Sequence, residues 1–368
     1  MATIVLGDIV TIVKEVVNPK TCGLDKFVGL EHYDAGEPLI TRFGSPENLD
    51  TNVKHFCKGD ILLARRNVYL KRAGYVDFEG VTSGDSIVLR VKDPSYLRIL
   101  PFILNTEDFW DYAEQNSDGT MSKRLSPDDL LDYEFEEPAD KELLADKLWA
   151  AYRVKESYRQ LLGVTDDFVN AKFVDMFGDP SMETRWETEK LSKLGLLERG
   201  VSKARPRNTP DLLGGPYPLV QTGDVTEAEL YIKRYTQTYS EKGLAQSRMW
   251  NKGTLCITIA ANIAQTAILD FDSCFPDSVV GFQANDRVLT IFIHYWFSFV
   301  RAIIDKNAPQ TAQKNINIAI LSNLDVIVPP IELQREFVAI ATQAEATKAS
   351  LRQSIDAIDR VIRSLINQ

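Results

Sequence analysis

The sequence predicts a mixed α+β fold written twice: two tandem globular domains, each followed by a long helix, with the two helices pairing as an antiparallel coiled coil. The first observation behind this is internal repetition. Lys58-Gly59-Asp60-Ile61-Leu62 returns as Lys252-Gly253-Thr254-Leu255-Cys256, and Leu131-Asp132-Tyr133 returns as Leu324-Asp325-Val326, at an offset of 192 to 194 residues. A repeat this long is a duplicated domain rather than a solenoid unit, and it implies two similar working surfaces related by pseudo-twofold symmetry. The second observation is that each copy closes on a heptad-patterned stretch. The third is that short β-branched runs between turns fill the rest of each copy. The divisions predicted are residues 1–138 for the first domain, 139–178 for a central helix, 179–330 for the second domain and 331–368 for a C-terminal helix.

In the C-terminal stretch, apolar or small residues fall at Phe337, Ala341, Ala344, Leu351, Ile355, Ile358, Ile362 and Leu365, in steps of four and three with one position skipped at Lys348. That is a heptad seam. Pro329-Pro330 supplies its start, because proline's fixed φ and missing N–H are tolerated in a helix's first turn. Glu332 and Glu336 suit the positive end of the helix dipole, and Arg360 and Arg363 the negative end. The first copy offers Leu144, Leu148, Ala151, Tyr158 and Leu162, followed less regularly by Phe168 or Val169, Phe173 and Met176. This helix is expected to stop at Phe177-Gly178-Asp179-Pro180, where glycine can cap and proline forbids continuation. Gly163 is its weak point, costing up to about 1 kcal/mol relative to alanine and offering a place to kink. So long an apolar stripe needs a partner, and the matching helix of the other copy supplies one running the opposite way.

Within the domains, residues 60–64, 86–91, 255–259, 267–271 and 326–328 are short aliphatic runs bounded by Gly, Asp, Asn and Pro, as strands between turns should be. One longer stretch per copy reads as helix, at 94–115 and 289–306. Composition fits an ordinary globular chain, with 44% hydrophobic and 26% charged residues in 368. The N-terminus has no basic region ahead of an apolar stretch, which predicts no secretory signal and residence in the cytoplasm. The apolar run 288–300 is broken by His294 and falls short of the ~20 residues that a membrane helix needs.

Chemistry is conspicuously missing. Neither G-x-x-x-x-G-K-[ST] nor G-x-G-x-x-G occurs, nor an Asn/Asp-Pro-Pro-Tyr segment of the kind that grips a flipped adenine. Cys22, Cys57, Cys256 and Cys274 stand apart without C-x-x-C pairing, and His32, His55 and His294 lack metal-ligand spacing. The expectation is inert thiols, no metal and no catalytic residue. The net charge of −10 argues against a nucleic-acid partner, yet it is unevenly spread. Residues 1–138 hold 15 basic and 24 acidic side chains, whereas 181–330 hold 16 and 15. Basic residues still cluster as Arg65-Arg66, Lys71-Arg72, Lys123-Arg124, Lys203-Arg205-Arg207 and Lys233-Arg234. Screening confines each charge to roughly 8 Å at physiological salt, so local patches can bind phosphate on an acidic protein.

The order of domain, long helix ending in Met176-Phe177-Gly178-Asp179-Pro180, second domain and second helix resembles the specificity subunit of type I restriction-modification systems. Tyr217-Pro218-Leu219-Val220-Gln221-Thr222-Gly223-Asp224-Val225, Lys252-Gly253-Thr254-Leu255 and Pro329-Pro330-Ile331-Glu332-Leu333-Gln334-Arg335-Glu336-Phe337 carry the likeness, in the family's order over nearly the whole chain. The first copy departs from it, lacking a counterpart of Gln221-Thr222-Gly223-Asp224 and carrying the acidic Glu134-Phe135-Glu136-Glu137-Pro138. The resemblance implies a non-catalytic subunit whose two target-recognition domains read the halves of a bipartite double-stranded DNA target. It also implies partner subunits: DNA methyltransferase subunits using S-adenosylmethionine, and ATP- and Mg-dependent restriction subunits, with no cofactor bound by this chain.

Amide, hydroxyl and guanidinium groups on turns are the natural readers of base edges and phosphates. In the second copy these are Gln221, Thr222 and Asp224, then Asn262 and Gln265, then Gln310, Thr311, Gln313 and Lys314. Aligned positions in the first are Arg65, Arg66 and Asn67, then Thr120, Ser122, Lys123 and Arg124. Turn chemistry and helix caps explain any one of them equally well. Two rival functions follow from the same residues: a coiled-coil scaffold that reads no DNA, and an acidic DNA mimic that inhibits a restriction complex, suggested by the acidity of the first copy.

Overall fold

A computed structural model describes residues 2–119, 122–180, 182, 184–207, 209–260, 262–307 and 316–367. The chain divides into two compact units, residues 1–159 with 353–368, and residues 160–352. Each long helix is thus shared. The central helix, Lys141–Phe177, gives residues 141–159 to unit one, and the C-terminal helix, Ile331–Ile366, gives residues 353–366 to the same unit.

Unit one holds two four-stranded sheets. In the first, Val10–Val13 pairs with Ser86–Val91, which pairs with Ile61–Ala64, which pairs with Ala73–Tyr75, all antiparallel. Its two central strands are apolar on both faces, for a visible reason. Ile61, Leu63, Ile87 and Leu89 turn toward the helices, while Leu62, Ala64 and Val88 turn toward Val28 and Phe56 of the second sheet. That second sheet runs Val16–Val17, Val53–Phe56, Gly80–Thr82, Phe27–Val28, its last pair parallel.

Unit two repeats this plan. Gly195–Arg199, Val279–Ala284, Leu255–Thr258 and Thr266–Leu269 form the first sheet, extended by a parallel edge strand, Tyr231–Ile232. Leu255, Ile257, Val280 and Phe282 face the helical side, and Cys256, Ala267, Leu269 and Val279 face Trp250 and Phe275. In both units the first strand pairs with the last before the long helix begins, Thr3–Val5 with Glu134–Glu136 and Thr188–Lys190 with Asp325–Ile327. Each domain is therefore closed on itself by main-chain bonds.

The stretch 289–306 is a helix, Thr290–Asn307. Its counterpart 94–115 is not continuous: it breaks into a turn at Pro94–Tyr96 and helices Leu100–Ile103 and Glu107–Gln115. Pro101 cannot donate into a preceding turn, and Thr106 restarts the helix by accepting the Phe109 N–H at 3.2 Å.

Within unit one, Ala145, Leu148 and Tyr152 of the central helix pack in one cluster with Ile362, Leu365 and Ile366. Within unit two, Val169, Phe173 and Phe177 pack with Phe337, Ala341 and Ala344, and the Phe173 and Phe177 rings lie 5.2 and 5.7 Å from that of Phe337. Lys155 is beside Asp359 in the first unit, and Asp166 beside Lys348 in the second, so each pair of segments is antiparallel. Leu148, Phe337, Ala341, Ala344 and Leu351 are buried; Leu144, Ala151, Tyr158, Leu162, Ile355, Ile358, Ile362 and Leu365 are half-buried. The fully buried line on the central helix runs instead through Ala145, Leu148, Tyr152, Lys155, Val169, Phe173 and Phe177, because that helix also faces its own sheets. Helix continues through Gly163, and after Phe177 the left-handed Gly178 (φ +84°) ends it. The last carbonyls are covered, Phe177 by the Trp186 indole N–H at 2.8 Å and Met176 by Arg185.

Candidate nucleic-acid interface

In unit one, two segments that are far apart in sequence meet at the end of the strand Ile61–Ala64. The Arg65 N–H donates to the Asp85 carbonyl and the Leu125 N–H donates to the Arg65 carbonyl, both at 2.9 Å. The Asn67 N–H donates to the Lys123 carbonyl at 2.9 Å, with Asn67 in the left-handed region (φ +54°) that asparagine tolerates. Side chains repeat the link: Arg66 Nε donates to Ser122 Oγ at 2.9 Å, which donates to Asn67 Oδ1 at 3.1 Å. Arg65, Arg66, Asn67, Ser122, Lys123 and Arg124 thus form one surface.

Its charge is lopsided. Asp85 stands 3.6 Å from Arg66 and 3.5 Å from Arg124, both half open to solvent. Arg72 spends two nitrogens on the Leu30 and Arg66 carbonyls, and Lys54 donates to the Ser86 carbonyl at 2.6 Å. Burial, with the Arg65 charge added, holds the Lys54 ammonium below its usual pKa, and burial lowers that of Arg72. Two arginines sharing one carboxylate, with Arg65, Lys54 and Arg72 close by, leave an excess of positive charge that suits a polyanion. The exposed Tyr69 lies beside them on the turn that follows Asn67.

Unit two builds a comparable patch from other residues. The Ile259 N–H donates to the Ser278 carbonyl and the Ile316 N–H to the Ile259 carbonyl, each at 3.1 Å, repeating the main-chain pattern around Arg65. The turn carrying Ser278 also carries Asp277, and there the arginines gather. Arg199 Nε donates to the Asp277 carbonyl at 2.9 Å, Arg205 is 3.3 Å from its carboxylate, and Arg207 pairs with the same carboxylate. Lys203 is exposed nearby in sequence, and Arg248 lies over the Trp250 ring at 4.2 Å.

The amide candidates fall on adjoining turns. Asp224 is a cap, its carboxylate accepting the Gln221 N–H at 2.7 Å, and Gln221 donates to Gln237 at 2.8 Å. The Thr222 carbonyl accepts from Thr226, whose hydroxyl also accepts from the exposed Asn262 at 3.3 Å, so the two turns touch. Gln265 is half-buried, its N–H on Thr258 Oγ1 at 3.1 Å. Thr120, Gln310, Thr311, Gln313 and Lys314 lie outside the described residues. The gathering role of Asp85 and Asp277, and the place of Arg199 and Lys54, went unread in the sequence. A signal existed, since Asp85-Ser86-Ile87-Val88 returns as Asp277-Ser278-Val279-Val280.

Among the described residues no helix is long and apolar enough to cross a membrane. Residues 183–360 match the family described as the Type I restriction modification DNA specificity domain. Two solved structures share the fold. A chain from a study of complex assembly and conformational transition in the type I R-M system is 16% identical, covering all of this chain and 96% of its own, with a TM-score of 0.58. The S subunit of the type I restriction-modification system from M. genitalium is 12% identical over 99% of this chain and 94% of its own, also at 0.58. The match to the type I restriction modification DNA specificity domain thus spans residues 183–360, and the fold runs end to end like that of a solved S subunit.

Proposed function

We propose that each unit reads one half of a bipartite double-stranded DNA target, and that the paired helices fix the spacer between the halves. The observation that carries this is the duplicated turn before Ser86–Val91 in one unit and Val279–Ala284 in the other, where Asp85 collects Arg66 and Arg124 and Asp277 collects Arg199, Arg205 and Arg207. Guanidinium groups serve both grooves and backbone: bidentate to guanine where they reach a base edge, and to phosphate where they do not. Asn67 and Ser122 in unit one, and Gln221, Thr222, Asn262 and Gln265 in unit two, would supply neutral amides and hydroxyls to the reading surfaces. Gln310, Thr311, Gln313 and Lys314 would extend the second reading surface, and Thr120 the first.

The same reading assigns the remaining parts. On the outer side of the central helix in unit two, Leu161, Val164 and Phe168 are exposed, and Phe168 lines an apolar groove with Ala339 and Ile340. Such a face suits docking of the DNA methyltransferase subunits, which would bring S-adenosylmethionine; restriction subunits would bring ATP and Mg. This chain binds none of these and acts where the DNA is, in the cytoplasm.

The test is methylated-adenine mapping in a host expressing this chain with its methylation subunit, against the same host lacking the chain. A two-part motif that appears only with the chain supports the reading. An assembled complex that adds no new methylation sinks it. Inserting whole helical turns into the central helix should lengthen the spacer and leave each half-site unchanged; an unchanged spacer removes the helices' role as a ruler.

A further inference from the structure

We propose that unit one holds a zinc-class metal site formed by His55, Cys57 and Glu79, with Glu15 orienting the histidine. The sheet register places these groups together. Val16 faces Lys54, so Glu15 falls across from His55, and the His55 N–H donates to the Glu15 carbonyl at 3.0 Å. Phe56 faces Gly80, so Cys57 falls across from Glu79 on the third strand. His55 and Cys57 are two residues apart, and side chains at i and i+2 of a strand leave the same face. Three adjacent strands therefore raise an imidazole, a thiol and two carboxylates on one face.

The side chains bear this out. The ligating atoms of His55, Cys57 and Glu79 lie within 4.8 Å of one another. His55 Nε2 is 2.8 Å from a Glu79 oxygen, and its other nitrogen, Nδ1, is 3.0 Å from Glu15 Oε2. Zinc held by nitrogen, sulfur and oxygen at about 2.0–2.3 Å needs its ligands only roughly 3.3–3.8 Å apart, which small side-chain rotations here provide. A histidine that ligates through one nitrogen almost always gives its other N–H to a carboxylate, and Glu15 stands at that position. The mixed N, S and O set with a solvent-facing side suits a tetrahedral ion completed by water. The site is private to unit one, because the residues one repeat later are Met249, Asn251 and Asp272. The absence of C-x-x-C or paired-histidine spacing hid it from the sequence, since its donors come from three strands rather than one turn.

Cobalt(II) reports this directly. The reduced, chelator-treated full chain should bind one equivalent of Co²⁺ with a thiolate-to-cobalt charge-transfer band and the strong visible bands of a four-coordinate ion, and Zn²⁺ should displace it. Cys57→Ser should abolish the charge-transfer band, Glu79→Gln should weaken binding, and Glu15→Gln should weaken it about 10–100-fold at unchanged stoichiometry. Cys22→Ser should change nothing. Absence of stoichiometric binding, or a band that survives Cys57→Ser and vanishes with Cys22→Ser, overturns the assignment and leaves a histidine set between two carboxylates. Circular dichroism of each variant establishes that it is folded, and Glu79→Gln, nearly isosteric, carries the test if Cys57→Ser is not.

Discussion

The two units keep the same ion cluster around a buried lysine and differ in the arginine patch proposed to face DNA. In unit one Lys155 bonds Glu37 at 2.8 Å and Asp359 at 2.6 Å, and Arg159 joins Glu37. In unit two Lys348 bonds Asp166 at 2.7 Å and lies 3.8 Å from Glu229, which Arg352 joins. Each member of the first set lies 192 or 193 residues from its counterpart in the second, counting Lys155 with Lys348, Arg159 with Arg352, Glu37 with Glu229 and Asp166 with Asp359. By contrast, the arginines on Asp85 come from segments near 66 and 124, and those on Asp277 come from 199–207. The repeat keeps the groups that hold helix to domain, where a mismatch would strand a buried lysine, and changes those on the turns, where no such penalty applies. A polar group in a helical seam also fixes register, because any slide leaves it unpaired.

The largest effect expected is on that seam. Lys155→Ala should cost about 3–5 kcal/mol, because Glu37 is only 10% exposed and loses its ammonium partner. Lys348→Ala should cost less, about 1–3 kcal/mol, because water can replace the lysine at Asp166, 56% exposed, and only Glu345, 16% exposed, is left short of a partner. Chemical denaturation of the full chain measures both, and equal losses would show that partner exposure does not set the cost.

Acid should separate the units next. Burial, with the Lys348 charge added, drives His294 down to about 4, and the residue one repeat earlier is Pro101. Above pH 6.5 this histidine is neutral folded or unfolded. As pH falls from 6.5 toward 4 the unfolded chain takes the proton and the native one resists, so unit two loses up to roughly 3 kcal/mol. Unit one should hold longer. Burial alone would raise the Glu37 carboxyl, but Arg159 and Lys155 outweigh it and hold it below 4.5, so its contribution is complete above that pH and lost only beneath it. Hydrogen exchange at pH 7 and 5 should show Leu255–Thr258 loosening before Ile61–Ala64; the reverse order refutes the assignment.

On the reading surfaces, Arg66→Ala or Arg124→Ala should relax one half-site, and Arg205→Ala or Arg207→Ala the other, each by about 1–3 kcal/mol if the guanidinium meets a base. A phosphate contact would instead weaken all sequences alike and shrink the salt slope by about 1. Binding curves at several salt concentrations distinguish the two. The smallest effect is Gly163→Ala. An added Cβ meets nothing within 4 Å, so the central helix should gain up to about 1 kcal/mol, read as a higher melting temperature.

Much of this was legible in the chain. The repeat announced two copies, and the heptad of Phe337, Ala341, Ala344 and Leu351 announced a buried seam, because apolar spacing is a local property of a helix. Lys348, skipped in that pattern, proved buried at 6% exposure, shared between Glu345 one turn back and the distant Asp166 and Glu229. The helix expected over 94–115 is interrupted at 97–99 and 104–106, with Pro101 in the first turn of one segment and Thr106 capping the next, so local proline and cap chemistry outweighed the apolar pattern. Of the candidate readers, Asp224 went to capping, an equally local use of a carboxylate.

The sequence by itself determined the duplication, the strand and helix content and the seam, since these follow from periodicity and turn chemistry within a few residues. Tertiary structure alone decided which distant groups meet: Arg66 with Ser122, Arg205 with Asp277, Lys155 with Glu37, and His55 with Glu15 and Glu79. Those meetings depend on sheet order and strand register, which are fixed only when every strand has found its neighbour and every buried charge its counter-charge.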